Sequence, residues 1–95
     1  MKMEADVPGR PPRTQAEIER YLAGLIEEIT LGRHPAATIR PGDRLIAELG
    51  LDSLDYATVL LGCERWLGIR VAEEGVDWRS IQSIEQLARF LARQQ

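Results

Sequence analysis

The chain holds one cysteine and one histidine. Cys63 alone excludes an intramolecular disulfide, and with His34 as its only soft companion it gives no zinc constellation, so no metal is expected. A reducing cytoplasm fits such cysteine usage. Aromatics are scarce as well: two Trp, two Tyr and one Phe, so the core must be built from Leu, Ile, Val and Ala. No apolar run approaches the length that crosses a bilayer. The start, Met1-Lys2-Met3-Glu4-Ala5-Asp6, brings acids early and lacks an apolar h-region, unlike a secretory signal. The net charge of −3 comes without a concentrated basic stripe, which argues against nucleic-acid binding. Acids gather instead over residues 17–28 and 43–55, which favours basic partner surfaces.

Ninety-five residues with 44% hydrophobic content are enough for one small domain with a compact core. Residues 1–13 read as a disordered leader, because Val7-Pro8-Gly9-Arg10-Pro11-Pro12 cannot sustain a helix and offers little to bury. The domain then spans 14–95. Thr14-Gln15-Ala16-Glu17 matches a capping box. Ile18, Tyr21, Leu22, Leu25, Ile26 and Ile29 follow at helical spacing. A first helix is expected over 15–31, stopped by Gly32.

Residues 33–44, with Pro35, Pro41 and Gly42, predict a long loop pinned to the core by Ile39. A short helical turn is expected at 45–49. The second helix is expected over 53–67, closed by Gly68, with Leu54, Ala57 and Leu61, joined by Leu60, as its core-facing stripe. Ile69-Arg70-Val71 alternates like a short extended segment. Asp77 is placed to cap a brief helix through 78–81. Ser83-Ile84-Glu85-Gln86 is a second capping box, opening a last helix that faces the core through Ile84, Leu87, Ala88 and Leu91. Three main helices and one short one make an all-α bundle.

Leu49-Gly50-Leu51-Asp52-Ser53-Leu54-Asp55 carries the functional signal. It sets a serine where a loop turns into a helix, beside the positive end of a helix dipole, a good mount for a phosphate-linked group. Asp52 and Ser53 are also favoured cap residues, and capping is compatible with a second role. The heptapeptide and the helices around it, over roughly 15–93, resemble the acyl carrier protein family, whose motif is G-x-D-S-L.

The resemblance implies a four-helix bundle with a long loop between the first two helices, and 4′-phosphopantetheine attached to Ser53. It implies a monomeric, stand-alone, cytoplasmic carrier that is a cosubstrate rather than a catalyst. Its acyl intermediates would ride as thioesters, and its partners would be a phosphopantetheinyl transferase and the acyl-loading and acyl-processing enzymes. Docking would use Asp52, Leu54, Asp55, Glu64 and Arg65. Asp52 and Asp55 would attract the basic surface of the transferase and help hold its metal. Tyr56, Val59, Leu61 and Cys63 are candidates for contact with the cargo.

Thr58 and Arg65 stand where fatty-acid-synthesis members commonly carry Glu. A reversed rim charge alters steering and partner choice, which points to a specialised fatty-acid or polyketide-type pathway. An aminoacyl or peptidyl carrier is the nearest alternative, although Asp rather than Gly before the serine favours acyl carriers. An unmodified, carrier-like interaction subunit is another. A serine hydrolase is disfavoured, because the one histidine lies in a separate Pro-flanked loop.

Several other residues have simple readings. Gly62 inside the second helix suggests close packing of a neighbour or of the acyl chain. Trp66 is read as covering the end of the bundle or anchoring a partner, Trp78 as packing, Cys63 as a small core residue, His34 as a solvated loop residue, and Glu73-Glu74 as a solvated surface on the side partners visit.

Overall fold

The computed structural model describes residues 11–71 and 77–95. The described residues are helical without strands: α1 (Gln15–Ile29), α2 (Ser53–Leu67) and α3 (Ile84–Arg93), with 3-10 turns at Ala36–Thr38 and Trp78–Ser80. The brief helix expected through 78–81 is thus a single 3-10 turn, capped by the Asp77 carboxylate on the Arg79 N–H. Residues 69–71 do not pair, so the extended segment expected there is not a strand. An isolated antiparallel bridge instead joins Arg44 to Ser83. Glu73 and Glu74 lie outside the described residues, as does most of the leader.

Each α-helix starts on a capping box. Thr14 and Glu17 open α1, Asp52 and Asp55 open α2, and Ser83 and Gln86 open α3. The first N–H groups of α3 also find carbonyls elsewhere, Ile84 on Asp43 (3.1 Å) and Glu85 on Pro41 (2.7 Å). These bonds stitch the connection of residues 30–52 to α3. Within that connection, residues 45–49 form a turn closed by the Gly50 N–H on the Ile46 carbonyl, and half-buried Ile39 packs on the core.

α1 ends two residues before the expected position. Thr30 is its C-cap, and Leu31 adopts a left-handed φ of 54°. The N–H of Leu31 bonds Glu28 and that of Gly32 bonds Glu27, the paired bonds of a Schellman motif. Leucine occupies the position where glycine is usual, and its side chain is 92% exposed.

Ile18, Leu22 and Ile26 of α1 are fully buried, with Leu87, Ala88 and Leu91 of α3 against them and Leu45, Leu49 and Leu51 closing the core. Each large aliphatic side chain so buried contributes about 1.5–3 kcal/mol. From α2 the buried residues are Val59, Leu60 and Cys63. The expected core stripe of α2 is therefore wrong on three of its four members: Leu54, Ala57 and Leu61 face outward, and Leu60 alone faces in. Apolar residues on nearly every side of this helix leave its periodicity ambiguous; tertiary packing chooses the face.

α1 packs on both other helices, whereas α2 and α3 make no close backbone approach to each other. Gly62 is where α1 comes close: a Cβ there would stand 3.0 Å from Leu25 Cδ1. The missing side chain serves helix packing. Trp66 covers the same junction, stacked on Tyr21 with ring centroids 4.1 Å apart and the Arg13 guanidinium 4.7 Å from its ring. Arg13 belongs to the expected leader, yet its backbone N–H and carbonyl both bond the Gln95 side chain at 2.8 Å.

Candidate functional site

Ser53 owes its position to two neighbours. Leu51, 2% exposed, anchors the incoming loop in the core, and its N–H bonds the Leu45 carbonyl at 3.1 Å. Asp52, still in the extended region, caps α2, its Oδ1 accepting the Asp55 N–H at 2.8 Å. The Asp55 carboxylate reaches back to the Asp52 N–H at 3.4 Å. Capping thus falls to Asp52, not Ser53.

Ser53 is the first helical residue, exposed, and its hydroxyl makes no hydrogen bond among the described residues. The N–H groups of Ser53 and Leu54 precede the first intrahelical bond, Tyr56 N–H on the Asp52 carbonyl at 2.9 Å. They are therefore free to solvate an anion on the serine oxygen. An exposed, unengaged hydroxyl on a rigid helix end, beside free N–H donors, fits a phosphodiester-linked group. The carboxylates of Asp52 and Asp55 close the cap.

The outward face of α2 starts at this serine. Leu54 is 74% exposed and Leu61 53%, with Ala57, Thr58 and Arg65 also exposed. Thr58 turns its hydroxyl back to the Leu54 carbonyl at 3.0 Å. Glu64 differs from the other expected docking residues, because its Oε2 accepts the Val71 N–H at 2.7 Å and so holds the turn after α2.

One helical turn beyond Ser53, Tyr56 leaves the helix toward a cavity of about 310 Å³. The cavity lies among α2, the turn at 44–47 and residues 78–82, with Leu45, Ile46, Trp78 and Ile81 in its walls. The Tyr56 hydroxyl donates to the Ile81 carbonyl at 3.0 Å, and burial pushes its pKa up to about 12. Trp78 meets Tyr56 edge-on at 6.1 Å and Phe90 of α3 at 5.6 Å, bridging the gap between α2 and α3.

Of the four residues expected to touch cargo, only Tyr56 lines this cavity. Leu61 faces solvent, while Val59 and Cys63 are core residues, 1% and 0% exposed. Burial, with Glu64 adding to it, raises the Cys63 thiol to about 12, so it is inert near neutral pH. His34 is half-buried in its loop, its N–H on the Thr30 hydroxyl. No group of His, Cys, Asp and Glu among the described residues can hold a metal ion. No helix among them is long and apolar enough to cross a membrane.

The sequence reading passed over Arg44 and Arg79, which also line the cavity. Segments far apart in the chain build the wall that brings them together, and no local pattern signals it.

A sequence-family profile described as the phosphopantetheine attachment site matches residues 20–91, which span α2 and most of α1 and α3. No curated protein matches the chain. The prosthetic group of such a domain is covalently bound 4′-phosphopantetheine, and carrier domains of this kind interact with modifying and acyl-processing enzymes. The all-α architecture, the exposed serine at the head of α2 and this match agree: the chain belongs to the phosphopantetheine-binding carrier family.

Proposed function

We propose that the chain is an acyl carrier protein whose Ser53 hydroxyl bears the 4′-phosphopantetheine, and that it acts as a cosubstrate rather than a catalyst. The observation that carries the reading is the division of labour at the head of α2. Asp52 satisfies the helix, and Ser53 is left exposed with no hydrogen bond to its hydroxyl among the described residues. The bound group supplies a terminal thiol that holds an acyl group as a thioester. The chain's own residues do the rest. Ser53 Oγ would lose its proton and form the bond to phosphorus as the pyrophosphate of coenzyme A breaks and 3′,5′-ADP departs; the adjacent N–H groups would solvate the charge of the phosphodiester, and α2 holds the attachment point rigid.

The partner-facing surface in this reading is the outward side of α2: Leu54 and Leu61 supply apolar contact, Asp52, Asp55 and Arg65 the charge pattern. Arg65 at the rim suits enzymes with an acid opposite it, which supports a specialised fatty-acid or polyketide-type pathway. Tyr56 and the cavity beside it offer the acyl chain an apolar wall. The short turn at Trp78–Ser80 takes the place of the third helix in the four-helix carrier arrangement.

The test is the intact mass of the chain after incubation with coenzyme A, Mg²⁺ and a broad-specificity phosphopantetheinyl transferase. One added phosphopantetheine in the parent and none in Ser53→Ala is the expected result. A folded parent that gains nothing while a known carrier in the same tube is modified refutes the reading and favours an unmodified interaction subunit.

A further inference from the structure

We infer that the acyl cargo of this carrier bears an anionic group, a carboxylate, at or near its far end, and that Arg44 and Arg79 at the cavity receive it. The inference rests on the reading of Ser53 as the attachment point. Its own ground is the composition of the cavity wall. Leu45, Ile46, Trp78 and Ile81 give the space an apolar lining, which suits methylene groups. Arg44 and Arg79 also line it, one from each of the two non-helical walls, and no acidic residue does. Both arginines are exposed, so their long side chains are free to swing to the mouth.

Neither guanidinium has a partner among the described residues. The one ion pair there is Arg89–Glu85. The acids nearest the two arginines in sequence are committed to backbone instead. Asp43 accepts the Arg40 N–H at 2.9 Å, Glu48 the Arg44 N–H at 2.7 Å, and Asp77 the Arg79 N–H at 3.2 Å. Two unpaired cations beside an apolar space do nothing for a saturated, neutral acyl tail. They are matched by a carboxylate, which a guanidinium binds through charge-assisted, two-pronged hydrogen bonds. An ammonium group in the same place meets like charge, which disfavours an aminoacyl cargo.

The dimensions agree. The cavity, about 310 Å³ and open on one side to solvent, has room for a short acyl chain with a polar end. Tyr56 stands about 4.5 Å along the helix from Ser53, at 1.5 Å per residue, so the cavity opens close to the proposed attachment point.

The experiment loads the full chain with hexanoyl-, adipoyl- and 6-aminohexanoyl-phosphopantetheine from the corresponding coenzyme A thioesters. Intact mass confirms the loading of each sample. Hydroxylamine then cleaves the thioester, and each rate is divided by that of the matching free pantetheine thioester. Adipoyl is expected to be the best protected, by about three- to tenfold over hexanoyl as befits a partly exposed ion pair, and 6-aminohexanoyl the least. Raising NaCl from about 0.05 to about 0.5 M should erase the adipoyl advantage, because salt screens exposed charge.

Arg44→Gln and Arg79→Gln, checked for folding by circular dichroism, should each lower the adipoyl-to-hexanoyl ratio, and together bring it to about one. The indole resonance of Trp78 should shift between the hexanoyl and adipoyl forms, and that of Trp66 should not. Equal protection of adipoyl and hexanoyl in the parent overturns the inference. So does a loss common to both cargoes in the variants, which would assign the guanidiniums to the phosphodiester of the arm. A parent that accepts no arm at all refutes the Ser53 reading itself and is recognised by mass before any hydroxylamine is added.

Discussion

Alanine at Asp52 and alanine at Ser53, made separately, divide the helix cap from the proposed attachment point. Asp52→Ala removes the acceptor 2.8 Å from the Asp55 N–H and half of a capping box. Losing such a cap costs about 1 kcal/mol, within a range of about 0.5–2. For a domain of this size that lowers Tm by roughly 4–8 °C. Ser53→Ala removes an exposed hydroxyl that bonds nothing among the described residues and puts a better helix former at the first helical position. Its stability should stay within about 0.5 kcal/mol of the parent. Urea unfolding followed by circular dichroism measures both variants. Modification then runs the other way: Asp52→Ala keeps an acceptor hydroxyl, and Ser53→Ala has none. If Ser53→Ala destabilises as much as Asp52→Ala, the serine hydroxyl is a cap, and the argument that it is held in reserve for chemistry fails.

Leu31→Gly should stabilise the domain although it deletes a large apolar side chain. Leucine with a φ of 54° carries about 1–2 kcal/mol of left-handed strain, and at 92% exposure it gives up almost no burial; after the extra freedom of glycine in the unfolded chain, a Tm gain of a few degrees remains, and a Tm loss would contradict the assignment. Alkali should unfold the protein progressively. Cys63 and Tyr56 both have folded-state values raised to about 12, so the native state holds their protons more tightly than the unfolded state does. Stability is then full below pH 9, declines as first Cys63 and then Tyr56 ionise in the unfolded chain, and goes on falling to about pH 12; urea midpoints that stay flat from pH 8 to about pH 11 would refute it. Gly62→Leu should push α1 and α2 apart by driving a side chain into Leu25, at a cost of about 1–3 kcal/mol in urea unfolding, and an unchanged midpoint would show that the junction is loose.

Features set by a few adjacent residues were legible in the sequence, and features set by distant ones were not. Both ends of α2 agree with expectation because Asp52 and Gly68 act locally. The α1 and α3 capping boxes are equally local, and the apolar face of α3 is clear because Glu85, Gln86, Arg89 and Arg93 occupy most of its other sides. The face of α2 was misread because Leu54, Leu60 and Leu61 look alike in a list of apolar residues, and only contact with α1 separates them. The end of α1 shifted because Leu31 takes a conformation that sequence assigns to glycine. The candidate serine stood out in its motif, whereas Glu64 could not be recognised as the clasp of Val71, nor Arg44 and Arg79 as neighbours of one cavity. Those relations exist only after the chain folds.

The most direct test of the carrier reading is localisation of the modification. The parent chain is incubated with coenzyme A, Mg²⁺ and the broad-specificity transferase, digested, and sequenced by tandem mass spectrometry. Phosphopantetheine on Ser53, and on neither Ser80 nor Ser83, is the expected result. An arm on any other residue, or none on a folded chain while a control carrier is modified, would contradict it.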